Sequence, residues 1–140
     1  MTVSALIAFA LAMITLGGML FFLAVIAPTV FRNFDGVQAA RFVRAMFPLY
    51  YVVLGGVSAA AALAAALGGR GGPAVLLALV AVGFAAARFG LMPRINALRD
   101  SANAGDKAAE PRFHALHRAS VGLNAVQMLG LVAIAVMLAR

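Results

Sequence analysis

From Thr2 to Phe31 no side chain carries a charge. A helical membrane span needs about 20 apolar residues, so this run can cross a bilayer with some tilt. It lacks the positive leading segment and short apolar core of a secretory signal. A second uncharged run goes from Ala45 to Gly69. A third starts after Gly71-Gly72, with Pro73 placed as a first helical residue, and is broken only by Arg88 before Pro93. A fourth covers Ala119 to Ala139, with the mixed segment Phe113 to Arg118 ahead of it. Apolar residues make up 65% of the chain and charged ones 11%, where a soluble domain is about half apolar and one quarter charged. A chain of 140 residues has too little interior to hide that much apolar surface from water, and it is far too apolar to be disordered.

Backbone polar groups in hydrocarbon must be satisfied within the span. The runs lack strict apolar/polar alternation and exceed the roughly ten residues of a barrel strand. The sequence therefore predicts an all-α, integral membrane four-helix bundle with antiparallel up-down connections. It is expected as a single domain over 1–140, with helices near 3–31, 40–67, 73–98 and 111–139.

The net charge of +7 is not the footprint of a nucleic-acid-binding domain, because the charges punctuate the apolar runs instead of forming a stripe. Eight basic residues (Arg32, Arg41, Arg44, Arg94, Arg99, Lys107, Arg112 and Arg118) flank the first and third connections. Only Arg70 and Arg140 fall on the other side. Basic loops stay in the cytoplasm. The expected placement is multi-pass, with both termini outside and loops 32–41 and 99–112 cytoplasmic; the polar stretch Arg99 to Glu110 reads as mobile. The absence of cysteine removes disulfides and thiolate chemistry.

All four acids, Asp35, Asp100, Asp106 and Glu110, fall in those two connections. No intramembrane carboxylate is left for a proton relay, paired-carboxylate hydrolysis or a catalytic triad, so the reading leans away from an enzyme. Arg88, about 22 Å along its helix from Pro73 at 1.5 Å per residue, either snorkels to lipid phosphate or helps to hold a polar ligand. On the fourth helix His117, Ser120, Asn124 and Gln127 recur at spacings of three and four and share one face. They either fix the bundle by hydrogen bonds or form a polar pocket near the cytoplasmic end, with His117 as ligand or proton carrier. Pro28, Pro48 and Pro93 should make that end irregular, with Tyr50 or Tyr51 lining a small cavity or forming an interfacial belt.

No cofactor is expected. The alternative is haem or copper(I) on His117, His114, Met46 and Met92, since imidazole with thioether suits both; methionine is also an ordinary core filler. Gly56, Ala60 and Ala64 lie four apart on one ridge, which permits close backbone approach either within the bundle or in a homo-oligomer.

Four groups of residues carry a resemblance: Gly18 with Pro28 and Phe31; Phe47-Pro48-Leu49-Tyr50-Tyr51; Pro93-Arg94-Ile95-Asn96-Ala97-Leu98-Arg99; and Phe113 with His117, Ser120 and Asn124. On them the chain resembles the bacterial members of the transmembrane-protein-205-like family. The resemblance implies a four-helix membrane domain in the bacterial inner membrane. It carries over His117, Ser120, Asn124 and the Phe47-Pro48-Tyr50 group by position, and not His114. Animal relatives are associated with drug resistance, and no settled transport mechanism comes with the family. Three functions remain open: binding or passing a small solute or metal complex, a haem- or metal-binding redox role, and a structural or accessory subunit.

Overall fold

A computed structural model describes residues 2–140. Four long helices account for nearly all of it: α1 (Val3–Asn33), α2 (Gly36–Leu67), α3 (Gly71–Asn103) and α4 (Ala109–Ala139), with no strand among the described residues. Each is long and apolar enough to cross a membrane. They pack as an up-down ring in which α1 meets α2, α2 meets α3, α3 meets α4 and α4 returns to α1. One end carries the connections 34–35 and 104–108 and is called the basic end below. The other carries the termini and the glycine turn after α2.

Buried positions follow a three-four alternation on every helix. Within the spans they include Ala5, Ala8, Ala12, Thr15 and Met19 on α1; Tyr51, Leu54, Ser58, Ala61 and Ala65 on α2; Pro73, Leu77, Val80, Phe84 and Ala87 on α3; and Ser120, Gln127, Leu131, Ile134 and Leu138 on α4. That period of 3.5 is the seam of a left-handed bundle. The seam is rich in small residues, whereas Leu63, Leu67, Leu79, Val82 and Leu129 face outward. Such an inside-out distribution suits lipid, where helices associate by close packing and not by hiding apolar surface. Gly55 marks one approach, since a Cβ there would lie 3.2 Å from the Phe84 Cβ.

The two outer turns differ in character. After α2, Gly69 adopts φ +73°, a left-handed conformation that suits glycine, and a Cβ on Gly68 would meet the Ala5 nitrogen at 3.1 Å. Arg70 then reaches across to donate to the carbonyls of Met137 and Leu138, at 2.9 Å each. It thereby satisfies the free C-terminal carbonyls of α4 with a cation, where the helix dipole favours one. At the basic end Asp35 caps α2 by accepting from the Gln38 backbone at 2.8 Å, and Arg44 pairs with Asp100 at 2.7 Å.

The sequence boundaries need correction at that end. Helix occupies much of the predicted loops 32–41 and 99–112: α2 already begins at Gly36, α3 runs to Asn103, and α4 begins at Ala109. The Asp35 cap accounts for the first extension. In the second, Arg99 lies over the Phe113 ring with its Cζ 4.2 Å from the centroid, which ties the polar ends of α3 and α4 together. The stretch read as mobile reduces to a short turn at 104–108, built on Gly105 at φ +100°.

Two wide π turns interrupt the helices, at Phe22–Ile26 in α1 and Ala87–Leu91 in α3. In each, a backbone N–H reaches five residues back, Ala27 to Phe22 and Met92 to Ala87. The next residue is proline in both cases, Pro28 and Pro93. Proline has no N–H to give and crowds the carbonyl four residues back, and a widened turn relieves both conflicts. Each π turn inserts one residue into the heptad. Beyond it Val30 and not Thr29 is buried, and Ile95 and not Arg94 is half-buried. Pro48 sits inside the continuous α2.

Candidate functional site

Pairwise contacts fix the relative depths of the helices. Gly18 on α1 abuts Leu54 on α2, Gly55 on α2 abuts Phe84 on α3, and Gly83 on α3 abuts Gln127 on α4. Stepping along each helix at 1.5 Å per residue places Phe22, Tyr51, Arg88 and Asn124 within about one turn of a common level. Both π turns start at that level. It is the slab in which the backbone is least regular and the interior least apolar.

Its core is aromatic. Phe22 packs on Phe47 and Tyr50 with ring centroids 5.2 and 5.4 Å apart, and Tyr50 and Tyr51 both approach Phe84 at 6.4 Å. Tyr51 crosses the bundle to the Ser120 and Asn124 side chains on α4. The heptad explains why it is Tyr51, and not the half-buried Tyr50, that does so. Tyr51 lies on the seam with Leu54, Ser58 and Ala61, whereas Tyr50 is one residue off it.

Three buried polar atoms in or beside this slab have no partner: Arg88 Nε, Asn124 Oδ1 and Gln127 Oε1. Buried polar atoms are costly when unpaired. Gln127, 4% exposed, satisfies its other end by donating from Nε2 to the Val80 carbonyl at 2.9 Å. One layer toward the termini, Thr15 donates to the Leu11 carbonyl at 3.1 Å and meets Ser58 at 3.4 Å. With the Thr15 proton used on Leu11, Ser58 is the donor of that pair. The Thr15–Ser58 pair is thus satisfied internally, with Gln127 Oε1 left open close to it, while the Tyr51 level keeps the acceptor Asn124 Oδ1 and the donor Arg88 Nε open.

The remaining predicted residues are distributed as follows. Ser120 is buried and Asn124 half-buried, both against Tyr51. Arg88 is half-buried with its Cζ 5.3 Å from the Phe89 ring, and it borders a groove of about 390 Å³ between α2 and α3. His117, one turn nearer the basic end, is exposed and stacks parallel on Phe113 at 5.8 Å. His114 is also exposed, 5.3 Å from the same ring, with Nε2 3.9 Å from a Glu110 carboxylate oxygen. Met92 packs on the apolar core, and Met46 is half-buried. Among the described residues no three His, Cys, Asp or Glu side chains gather as a metal site. Gly56 and Ala60 face outward and Ala64 is half-buried. The partnership of Gln127 with Gly83 and the reach of Tyr51 required the helix register, which spacing along a single helix does not supply.

No curated protein and no solved structure matches the chain. A family model described as a domain of unknown function, DUF4149, matches residues 10–104. The match spans most of α1 and all of α2 and α3, and it ends before α4 begins. It makes no link to the transmembrane-protein-205-like family. Covering more than half of a four-helix chain built for the membrane, the match shows that this protein belongs to the DUF4149 family.

Proposed function

We propose that the protein is a non-enzymatic membrane bundle that binds, and passes, a small polar solute at the level of Tyr51. The observation that carries this reading is the set of unpartnered buried atoms, Arg88 Nε, Asn124 Oδ1 and Gln127 Oε1. Two acceptors and one donor suit a solute that offers both N–H or O–H groups and a hydrogen-bond acceptor. The flanking π turns support it, because such turns recur at functional sites. His117 lies one turn from Ser120 on the same helix, exposed against the Phe113 ring. The resemblance to the transmembrane-protein-205-like family belongs to this reading, as does a bacterial inner-membrane location with the basic end in the cytoplasm. The eight-to-two distribution of basic residues supports that orientation, and a reporter fused at Lys107 tests it.

The test is a thermal-shift screen of the purified protein against small hydroxylated, amide-bearing and zwitterionic solutes. A hit is expected to raise the melting temperature of the intact protein and to leave Asn124→Leu and Gln127→Met unmoved. Equal shifts in the variants, or no hit from any of the three classes, would refute the reading.

A second reading, an accessory subunit or homo-oligomer, is supported by the outward exposure of Gly56 and Ala60. Gly56 lines, and Ala60 follows, the groove between α2 and α3, whose walls include the small residues Gly55, Ala59, Ala81 and Ala85 among larger ones, and small residues allow a partner helix to approach closely. Because the chain has no cysteine, a single Gly56→Cys variant tests it. Disulfide-linked dimers in native membranes support the seam, and exclusive monomer excludes it.

A further inference from the structure

We infer that the outer groove between the polar ends of α3 and α4 is a binding site for the headgroup of an anionic phospholipid. The groove has a volume of about 550 Å³ and is lined by Arg94, Ala97 and Leu98 from α3 and by Arg112, Ala115 and Leu116 from α4. Two guanidinium groups thus flank an apolar floor. Neither takes part in an ion pair among the described residues, and the nearby acids are engaged elsewhere: Asp100 with Arg44 and Glu110 facing His114. Both arginines are exposed, so their charge is directed away from the bundle.

Depth selects the partner. Counting from Gly71, about 20 helical residues cross the hydrocarbon; Arg94 follows just beyond, at the level of lipid phosphates. A soluble acidic protein would have to reach that level against the membrane surface, whereas a phospholipid already has its phosphate there and its chains below. The floor of Ala97, Leu98, Ala115 and Leu116 suits the glycerol and upper chain region, and guanidinium binds phosphate with paired donors. Basic pockets between membrane helices bind anionic headgroups by this combination. The site lies outside the Tyr51 level and does not depend on any solute binding there.

The experiment is native mass spectrometry of the full-length protein offered phosphatidylglycerol, cardiolipin or phosphatidylcholine. Retention of the two anionic lipids over phosphatidylcholine is expected. Each arginine near the surface contributes about fivefold, so Arg94→Gln with Arg112→Gln should lower retention about 25-fold. Arg32→Gln with Arg41→Gln removes equal charge from the other connection and should leave retention unchanged. Equal loss in both pairs would show diffuse attraction and overturn the site, as would undiminished retention in the Arg94/Arg112 pair. If that pair does not fold, the unmodified protein decides. Preference for anionic lipid that survives millimolar inorganic phosphate supports the site, and indifference to headgroup or displacement by phosphate refutes it.

Discussion

A Cβ on Gly83 would lie 2.7 Å from Gln127 Nε2, the same nitrogen that donates to the Val80 carbonyl at 2.9 Å. Glycine on α3 and glutamine on α4 therefore form one fitted unit. Gly83→Ala is expected to displace the amide and break its hydrogen bond, at a cost of about 1 kcal/mol for an interhelical contact in lipid. In a Gln127→Ala background the same change meets no obstacle. A double-mutant cycle read by unfolding in detergent should return a coupling of about 1 kcal/mol; zero coupling would dissolve the pair.

Gln127→Met separates stability from binding. The substitution removes one hydrogen bond, but it also removes the unpartnered Oε1, and the two effects oppose each other. Stability should stay within about 1 kcal/mol of the parent, whereas solute-dependent stabilisation should vanish. Thermal melting with and without solute checks both.

Arg70→Ala leaves the Met137 and Leu138 carbonyls without their donor. A cation at a helix C-terminus is worth about 0.3–1 kcal/mol, so a loss near the top of that range is expected, with partial recovery in Arg70→Lys. Faster amide exchange confined to the last turns of α4 would identify the cap as the cause; unchanged exchange there would contradict it.

The Arg44–Asp100 pair should matter much less. Its side chains are 45% and 60% exposed, and exposed pairs contribute about 0–1 kcal/mol with strong screening by salt. Asp100→Asn is expected to change the melting temperature by little, and by nothing at high ionic strength. A salt-independent loss would mean that the Arg44 contact to the Asn96 carbonyl, at 3.3 Å, depends on it.

Uncharged run length identifies helices and counts them, which is why four spans and their ring could be read from composition and pattern. Part of the polar face of α4 was legible, since Ser120, Asn124 and Gln127 are the polar positions of an otherwise apolar heptad, whereas His117, read as part of the same face, is exposed beside Phe113. Three things were not. Helix ends outside hydrocarbon leave no hydropathy signal, so α3 continues through Arg99 to Asn103 where a loop was expected. Arg70 counted only as a charge that sets direction, although it closes α4. Tyr51 could not be chosen over Tyr50 without knowing which face of α2 is turned to the bundle interior.

The extra residue in the α3 π turn has a further effect, on orientation. In an unbroken heptad the position after Leu91 would be Arg94, and its guanidinium would be turned toward the axis of the bundle. One added residue swings the remainder of the helix by about 100°, which sends Ile95 inward and Arg94 to the periphery. Closing this turn to ordinary α-helix at constant length would therefore act like a rotated dial, delivering a cation to the interior although every side chain is unaltered, whereas deleting one residue between Ala87 and Leu91 would remove the wide turn and leave Ile95 inward.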